Sequence, residues 1–120
     1  MLPHVYDNDN GGLVRLVYRS RAMLPGNWPS FHKLVLAAGV VNNTIGVTGA
    51  ITFDGFEFVQ VLEGESDVVN ELMEKISNDP RHEDIKIVSE KRVPMRRYSG
   101  WALKTIHRDD HKAFVLSLGA

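Results

Sequence analysis

Two β-rich runs, residues 46–53 (GVTGAITF) and 56–63 (FEFVQVLE), are joined by Asp54-Gly55. This junction constrains the fold more than any other feature. Asp-Gly between alternating apolar runs is a strong short-range hairpin signal, because Gly reaches the positive φ that a tight reversal needs. Pairing then fixes which side chains share a face. Phe56, Phe58, Gln60 and Leu62 fall on one side; Glu57, Val59, Val61 and Glu63 fall on the other. The first set is apolar except for Gln60, so it faces the core. A carboxamide placed there needs a partner, since an unpaired buried polar group costs about 1–3 kcal/mol.

The remaining chain supplies the elements that cover this hairpin. Residues 13–18 (LVRLVY) read as a first strand, with Val14, Leu16 and Tyr18 on one face. Asn27 is a candidate N-cap for a helix with Phe31, Leu34, Val35 and Ala38 at i, i+3, i+4, i+7, expected to end near Gly39. Ser66 is expected to cap a second helix striped by Val68, Val69, Leu72, Met73 and Ile76, stopped by Asn78-Asp79-Pro80. Residues 85–88 and 100–106 read as further strands. The order is β-α-β-β-α-β plus one extra strand: an α+β, ferredoxin-like arrangement with two helices packed on one face of a mixed sheet. Residues 1–12 read as a flexible N-terminal extension, 13–107 as the domain, and 108–120 as a short helix or a disordered end.

Composition bounds the chemistry. The chain has 120 residues, enough for one domain. With 14 basic against 15 acidic side chains it lacks the charge bias of a nucleic-acid binder. It has no cysteine, which excludes disulfides, thiolate metal sites and thiol catalysis. It shows neither a membrane-length apolar run nor a secretory signal, so a cytoplasmic location without membrane contact is expected.

Several polar residues sit where packing alone does not ask for them. Tyr18 ends an apolar strand face, Gln60 interrupts another, Asn42 and Asn43 follow the first helix, and Arg81 and His82 follow the second. Singly, each has an ordinary reading as rim, turn or loop chemistry. Together, a phenol, carboxamides and a guanidinium match the carbonyls and imide of a planar heterocycle. Other candidates are weaker. His107 and His111 have a metal-compatible spacing but no third ligand, so no metal is expected. Glu63 and Glu65 do not both point inward. Gly46-Val47-Thr48-Gly49 lacks the strand-to-helix turn of a dinucleotide fingerprint. Arg92, Arg96 and Arg97 read as a solvated basic loop.

The ordered set Leu16-Val17-Tyr18-Arg19-Ser20, Asn42, Gly46-Val47-Thr48-Gly49, Phe58-Val59-Gln60-Val61-Leu62-Glu63-Gly64, Asp79-Pro80-Arg81-His82 and Arg97-Tyr98-Ser99-Gly100-Trp101 resembles a BLUF domain, a blue-light sensor using FAD, of the short stand-alone kind. The likeness runs from about Leu13 to Ile106. It implies a flavin, FAD with FMN or riboflavin as substitutes, held non-covalently between the two helices. Tyr18 matches the photoactive tyrosine and Gln60 the switching glutamine. Asn42, rather than Asn43, matches the asparagine at the flavin carbonyl edge, and Arg81 and His82 match the basic pair that contacts the flavin. Trp101 matches the output tryptophan. Leu103 stands where methionine is common and offers no thioether acceptor; Val41 stands where a polar residue is frequent.

The resemblance further implies electron then proton transfer from Tyr18 through Gln60, leaving a rotated or tautomerised amide and a reversible red shift. It implies no turnover and a downstream partner protein that receives the signal. A dimer through the sheet face that carries Val59 and Val61 is a further expectation. Rival readings are a flavin-dependent redox enzyme and an interaction module without photochemistry.

Overall fold

The computed structural model describes residues 12–23 and 27–119. The expected extension at 1–12 lies, but for Gly12, outside the described residues. β1 (Leu13–Ala22) runs four residues past the expected end at Tyr18. It buries Val14, Leu16, Tyr18, Ser20 and Ala22 on one face and Val17 on the other, as a strand covered on both sides must. β2 (Thr48–Phe53) and β3 (Glu57–Glu65) form the expected antiparallel hairpin. Its turn is longer than a two-residue reversal. Asp54 Oδ1 accepts from the Phe56 and Glu57 backbone N–H groups, both at 2.9 Å, and Gly55 takes φ 102°. Phe56 is therefore in the turn and exposed. Phe58, Gln60 and Leu62 keep the inward face.

β4 (His82–Arg92) and β5 (Lys104–Ile106) complete a five-stranded sheet of order β4-β1-β3-β2-β5. β1 is antiparallel to β3 and β4, and β5 is parallel to β2. Strands β1 and β2 both flank β3, so the helix between them closes a split βαβ unit. This is the ferredoxin-like α+β arrangement.

α1 (Trp28–Ile45) starts as expected, with Asn27 Oδ1 accepting from the Ser30 N–H at 3.1 Å. It does not end near Gly39. A helical Gly costs only about 1 kcal/mol relative to Ala, too little to stop a helix. Gly46, in the left-handed region at φ 75°, does stop it. Asn42 and Asn43 thus lie in the last turns of α1 rather than in a loop. α2 (Ser66–Ser77) has Ser66 as its first residue, not as a cap; its buried Oγ has no partner, and Glu65 holds the cap position. Val69, Leu72 and Met73 pack on Val14, Leu16 and Leu62.

The chain from 100 to 106 is not all strand. The Trp101 N–H donates to the Tyr98 carbonyl at 2.9 Å, with Gly100 at φ 88°, and this turn delays β5 to Lys104. Trp101 and Leu103 accordingly precede β5, which neighbours β2 and not β3.

A short 3₁₀ turn (Arg108–Asp110) leads into α3 (His111–Ser117). Phe114 and Val115 pack on Val17, Ala50, Val59 and Val61. Val59 and Val61 are fully buried. This corrects the expectation that they form a dimer surface: α3 already covers that face.

Candidate functional site

The site is built on a strand pairing. β1 and β3 align so that Tyr18 lies directly opposite Gln60. Directly opposed residues have Cβ atoms about 4.5–5.5 Å apart, within reach of two long side chains. The Tyr18 O–H donates to Gln60 Oε1. This supplies the partner that the amide on an apolar face required. Both side chains are buried. Burial, and after it the negative charge of Asp79, push the Tyr18 phenol well above its ordinary pKa, so the ring keeps its proton. The β1–β4 register shifts between Val17 and Tyr18, a bulge beside the tyrosine.

Tyr18 and Gln60 line a cavity of about 270 Å³ between α1, α2 and the sheet. Its walls are mainly apolar: Leu34, Ala38 and Val41 from α1, Leu72 and Ile76 from α2, Ile51 from β2. α1 buries only Phe31 and Asn42, one residue near each end. Between them, Leu34 and Val35 pack against the cluster that holds Phe31, Ile51 and Phe58, while Leu34, Ala38 and Val41 line the cavity. A flat apolar ring with polar edges would cover them.

The structure brings Asn42, Arg81 and His82 to the same cavity. Asn42 is 2% exposed, and its Nδ2 donates to the Ala102 carbonyl at 3.0 Å. The amide retains a second N–H and its carbonyl for a ligand edge. Arg81 Nε donates to Asp79 Oδ1 at 2.9 Å. The Arg81 hydrogen bond holds the Asp79 carboxyl below its usual range, against the opposing effect of burial. His82 Nε2 lies 2.7 Å from the Ile76 carbonyl, an acceptor, so this nitrogen carries the proton. Nδ1 lies 2.7 Å from Ser20 Oγ. His82 thus presents its ring to the cavity with both nitrogens engaged.

Trp101 and Leu103 are not among the cavity residues. Trp101 is exposed, with Lys104 Nζ 5.3 Å from its ring centroid, and Leu103 packs against the Phe31, Phe53 and Phe58 cluster. Residues 100–106 read as one strand, but β5 begins only at Lys104 and pairs with β2, so neither residue lies on a strand beside Gln60. Ala102, between them, reaches the site through the Asn42 bond, and the cluster under Leu103 includes Ile51 and Phe58 of the cavity wall.

Sequence reasoning missed Ser20, Lys75 and Asp79 as site residues. Ser20 was legible in principle, two residues from Tyr18 on the same face. Of the basic residues expected to be solvated, Arg92 and Arg97 are exposed, but the Arg96 side chain is engaged. Arg96 Nη1 donates to Thr48 Oγ1 at 3.0 Å and to the Glu63 carbonyl at 3.1 Å. His107 and His111 do not converge. His107 caps its own 3₁₀ turn, whereas His111 Nε2 lies 2.8 Å from Glu57 Oε2 and Nδ1 lies 3.1 Å from Thr52 Oγ1. Asp54, Glu57 and His111 offer ligand-type atoms within 4.8 Å of one another. Arg19 already supplies the counter-charge through two 2.9 Å bonds to Glu57.

A phenol–amide pair lining an apolar slot, with carboxamide and basic groups at its rim, defines a domain that holds a flat heteroaromatic group. The family model "BLUF: Sensors of blue-light using FAD" matches residues 13–104. The chain belongs to the BLUF family of blue-light flavin sensors. It is 34% identical over 104 residues to photoactivated adenylate cyclase subunit beta of Euglena gracilis, covering 85% of this chain and 12% of that protein. It is 33% identical over 112 residues to the blue light- and temperature-regulated antirepressor BluF of Escherichia coli K12, covering 89% and 28%. The dark-state structure of the BLUF protein BlrB superposes with a TM-score of 0.81 at 32% identity, covering 90% of this chain and 82% of that one. The photo-activated BlsA structure gives 0.77 at 30% identity, covering 89% and 79%. The chain thus spans about an eighth of the Euglena relative.

Proposed function

We propose that Tyr18 and Gln60 are the photoactive pair of this sensor, and that the ring of FAD lies in the cavity they line. The hydrogen bond from the Tyr18 O–H to Gln60 Oε1 at the cavity wall carries the reading. When bound, the flavin supplies blue-light absorption and an excited state that takes an electron from a neighbouring phenol. Among the described residues, Tyr18 is the one phenol lining the cavity. Its proton has a ready path, along the existing bond to Gln60. Return of electron and proton to Tyr18 leaves no net redox change. What persists is the amide, rotated or tautomerised, with donor and acceptor re-aimed. Asn42 and Arg81 hold the polar edges of the ring, and the His82 ring packs beside it. FAD is the choice because the family is described by it; FMN and riboflavin, which share the ring, are expected to substitute.

The relatives' names join this kind of domain to a cyclase and to an antirepressor. We carry over only the common feature: the output is exerted on another protein or domain, with no turnover by this one. No described helix is long and apolar enough to cross a membrane.

The test is a light-minus-dark spectrum of the purified protein loaded with FAD. A small red shift that reverses in darkness is expected in the native protein, and none in Tyr18→Phe or Gln60→Leu. Protein that takes up no flavin, or a Tyr18→Phe variant with an intact red shift, overturns the assignment.

A further inference from the structure

Glu63 is a carboxylate with no exposed surface, on the sheet face opposite Gln60. Neither the cavity nor the photochemistry uses it. Its two oxygens accept four hydrogen bonds. Oε2 takes Arg15 Nε at 2.8 Å and the Arg97 backbone N–H at 2.8 Å. Oε1 takes Thr48 Oγ1 at 3.0 Å and the Tyr98 backbone N–H at 3.0 Å. Two of these donors belong to the connection between β4 and β5. Arg15 Nη2 adds a bond to the Met95 carbonyl at 3.2 Å. One end of the connection is therefore fastened to β1 and β3.

The other end is fastened to the cavity. Asn42 Nδ2 donates to the Ala102 carbonyl at 3.0 Å, and the Gly49 N–H donates to the Trp101 carbonyl at 3.1 Å. Between the two fastenings lies the turn from Tyr98 to Trp101, with Trp101 in solvent.

We propose that Glu63 is a positioning residue for signal output: it fixes residues 97–98, so that a change at Asn42, felt at Ala102, swings the Trp101 end against a stationary anchor. This rests on the light-sensing reading above. Each Glu63 oxygen holds one backbone amide of the connection. Glu63→Gln must therefore turn an NH₂ group toward one of those amides, whichever way its side chain is flipped. The cavity and its lining are left unchanged.

The experiment uses FAD-loaded protein in a Trp28→Phe background, so that Trp101 is the sole tryptophan. Three readouts are taken in dark and light: the flavin red shift, Trp101 fluorescence, and amide hydrogen exchange. In protein with native Glu63, the 97 and 98 amides should be protected equally in dark and light, while residues 101–104 change with light. In Glu63→Gln, exchange at 97 or 98 should rise by about tenfold or more, the ratio set by one lost buried hydrogen bond. The red shift should persist, and the light-induced change in Trp101 fluorescence should fall severalfold. A red shift lost together with the fluorescence response would mean that Glu63 supports the pocket as a whole, and overturns the proposal. So would unchanged exchange and an unchanged Trp101 response. If Glu63→Gln does not fold, the native-Glu63 exchange decides: 97 and 98 amides that open in light as much as 101–104 refute a fixed anchor. Protein with native Glu63 and no red shift would instead sink the underlying light-sensing reading.

Discussion

Tyr18 and Gln60 can be tested as a coupled pair without light or ligand. Tyr18 is 3% exposed and Gln60 4%, so neither polar atom has bulk water as a substitute partner. Tyr18→Phe leaves Gln60 Oε1 without its donor; Gln60→Leu leaves the phenolic O–H without its acceptor. Each single change should destabilise the ligand-free protein by about 1–3 kcal/mol. The double variant removes both polar atoms and leaves an apolar cross-strand pair, which mutational series show to be nearly neutral. With about 2 kcal/mol lost in each single variant and almost none in the double, the cycle should return a coupling of about 4 kcal/mol in magnitude. In urea titrations, with a slope of about 2 kcal/mol/M, each single variant should lose about 1 M in midpoint and the double variant should recover most of it. Changes that add to within about 0.5 kcal/mol would refute the argument. They would mean that each group finds another partner in the cavity and that the pair is not an isolated buried bond.

Other outcomes follow from the same geometry. Burial favours a high Glu63 pKa, but the bonds from the Arg97 N–H, Arg15, the Tyr98 N–H and Thr48 outweigh it and leave the pKa lowered. Its stabilisation is present above the ordinary carboxylate range, about pH 4.3, and is lost as pH falls through the lowered value. Glu63→Gln should flatten the acid limb of a stability–pH curve. Tyr18 has the opposite sign: its raised pKa gives stability that is lost as pH climbs above about 10, so Tyr18→Phe should flatten the alkaline limb. Two glycines should also differ sharply. A Cβ at Gly49 would sit 1.9 Å from the Val61 carbonyl oxygen, backbone that cannot yield without parting β2 from β3. Gly49→Ala should cost at least about 3 kcal/mol or prevent folding. At Gly39 a Cβ meets nothing within 4 Å, and Gly39→Ala should stabilise by about 0.5–1 kcal/mol, read by urea midpoint.

The sequence carries the strands' alternation, and alternation alone marks Gln60 as an inward-facing amide and Tyr18 as the end of an inward face. The Asp-Gly junction and the Asn27 cap are equally local, and both appear where expected. What local pattern does not carry is where elements stop. α1 continues through Gly39 because helix propensity at one residue is weak beside the left-handed cap that Gly46 provides. Residues 100–106 alternate like a strand, yet the turn at Gly100 leaves only three of them to pair. Glu63 looked like an outward carboxylate because its partners, Arg15, Thr48, Arg97 and Tyr98, come from three distant parts of the chain. The face carrying Val59 and Val61 looked vacant because nothing in those strands announces that Phe114 and Val115 return to cover it.

The Tyr18–Gln60 pairing is a matter of register before it is a matter of residue identity. A strand's faces exchange with every single-residue slip. An insertion or deletion within β1 or β3 would therefore turn one partner away from the cavity while both residues stayed in the chain. Substitutions at the cavity wall can be absorbed one at a time, but a change of length between Leu13 and Tyr18, or between Glu57 and Gln60, cannot. In descent, this fixes the spacing of the hairpin more tightly than its composition. In engineering, it directs insertions and fusion points away from the two strands, toward the chain beyond α3.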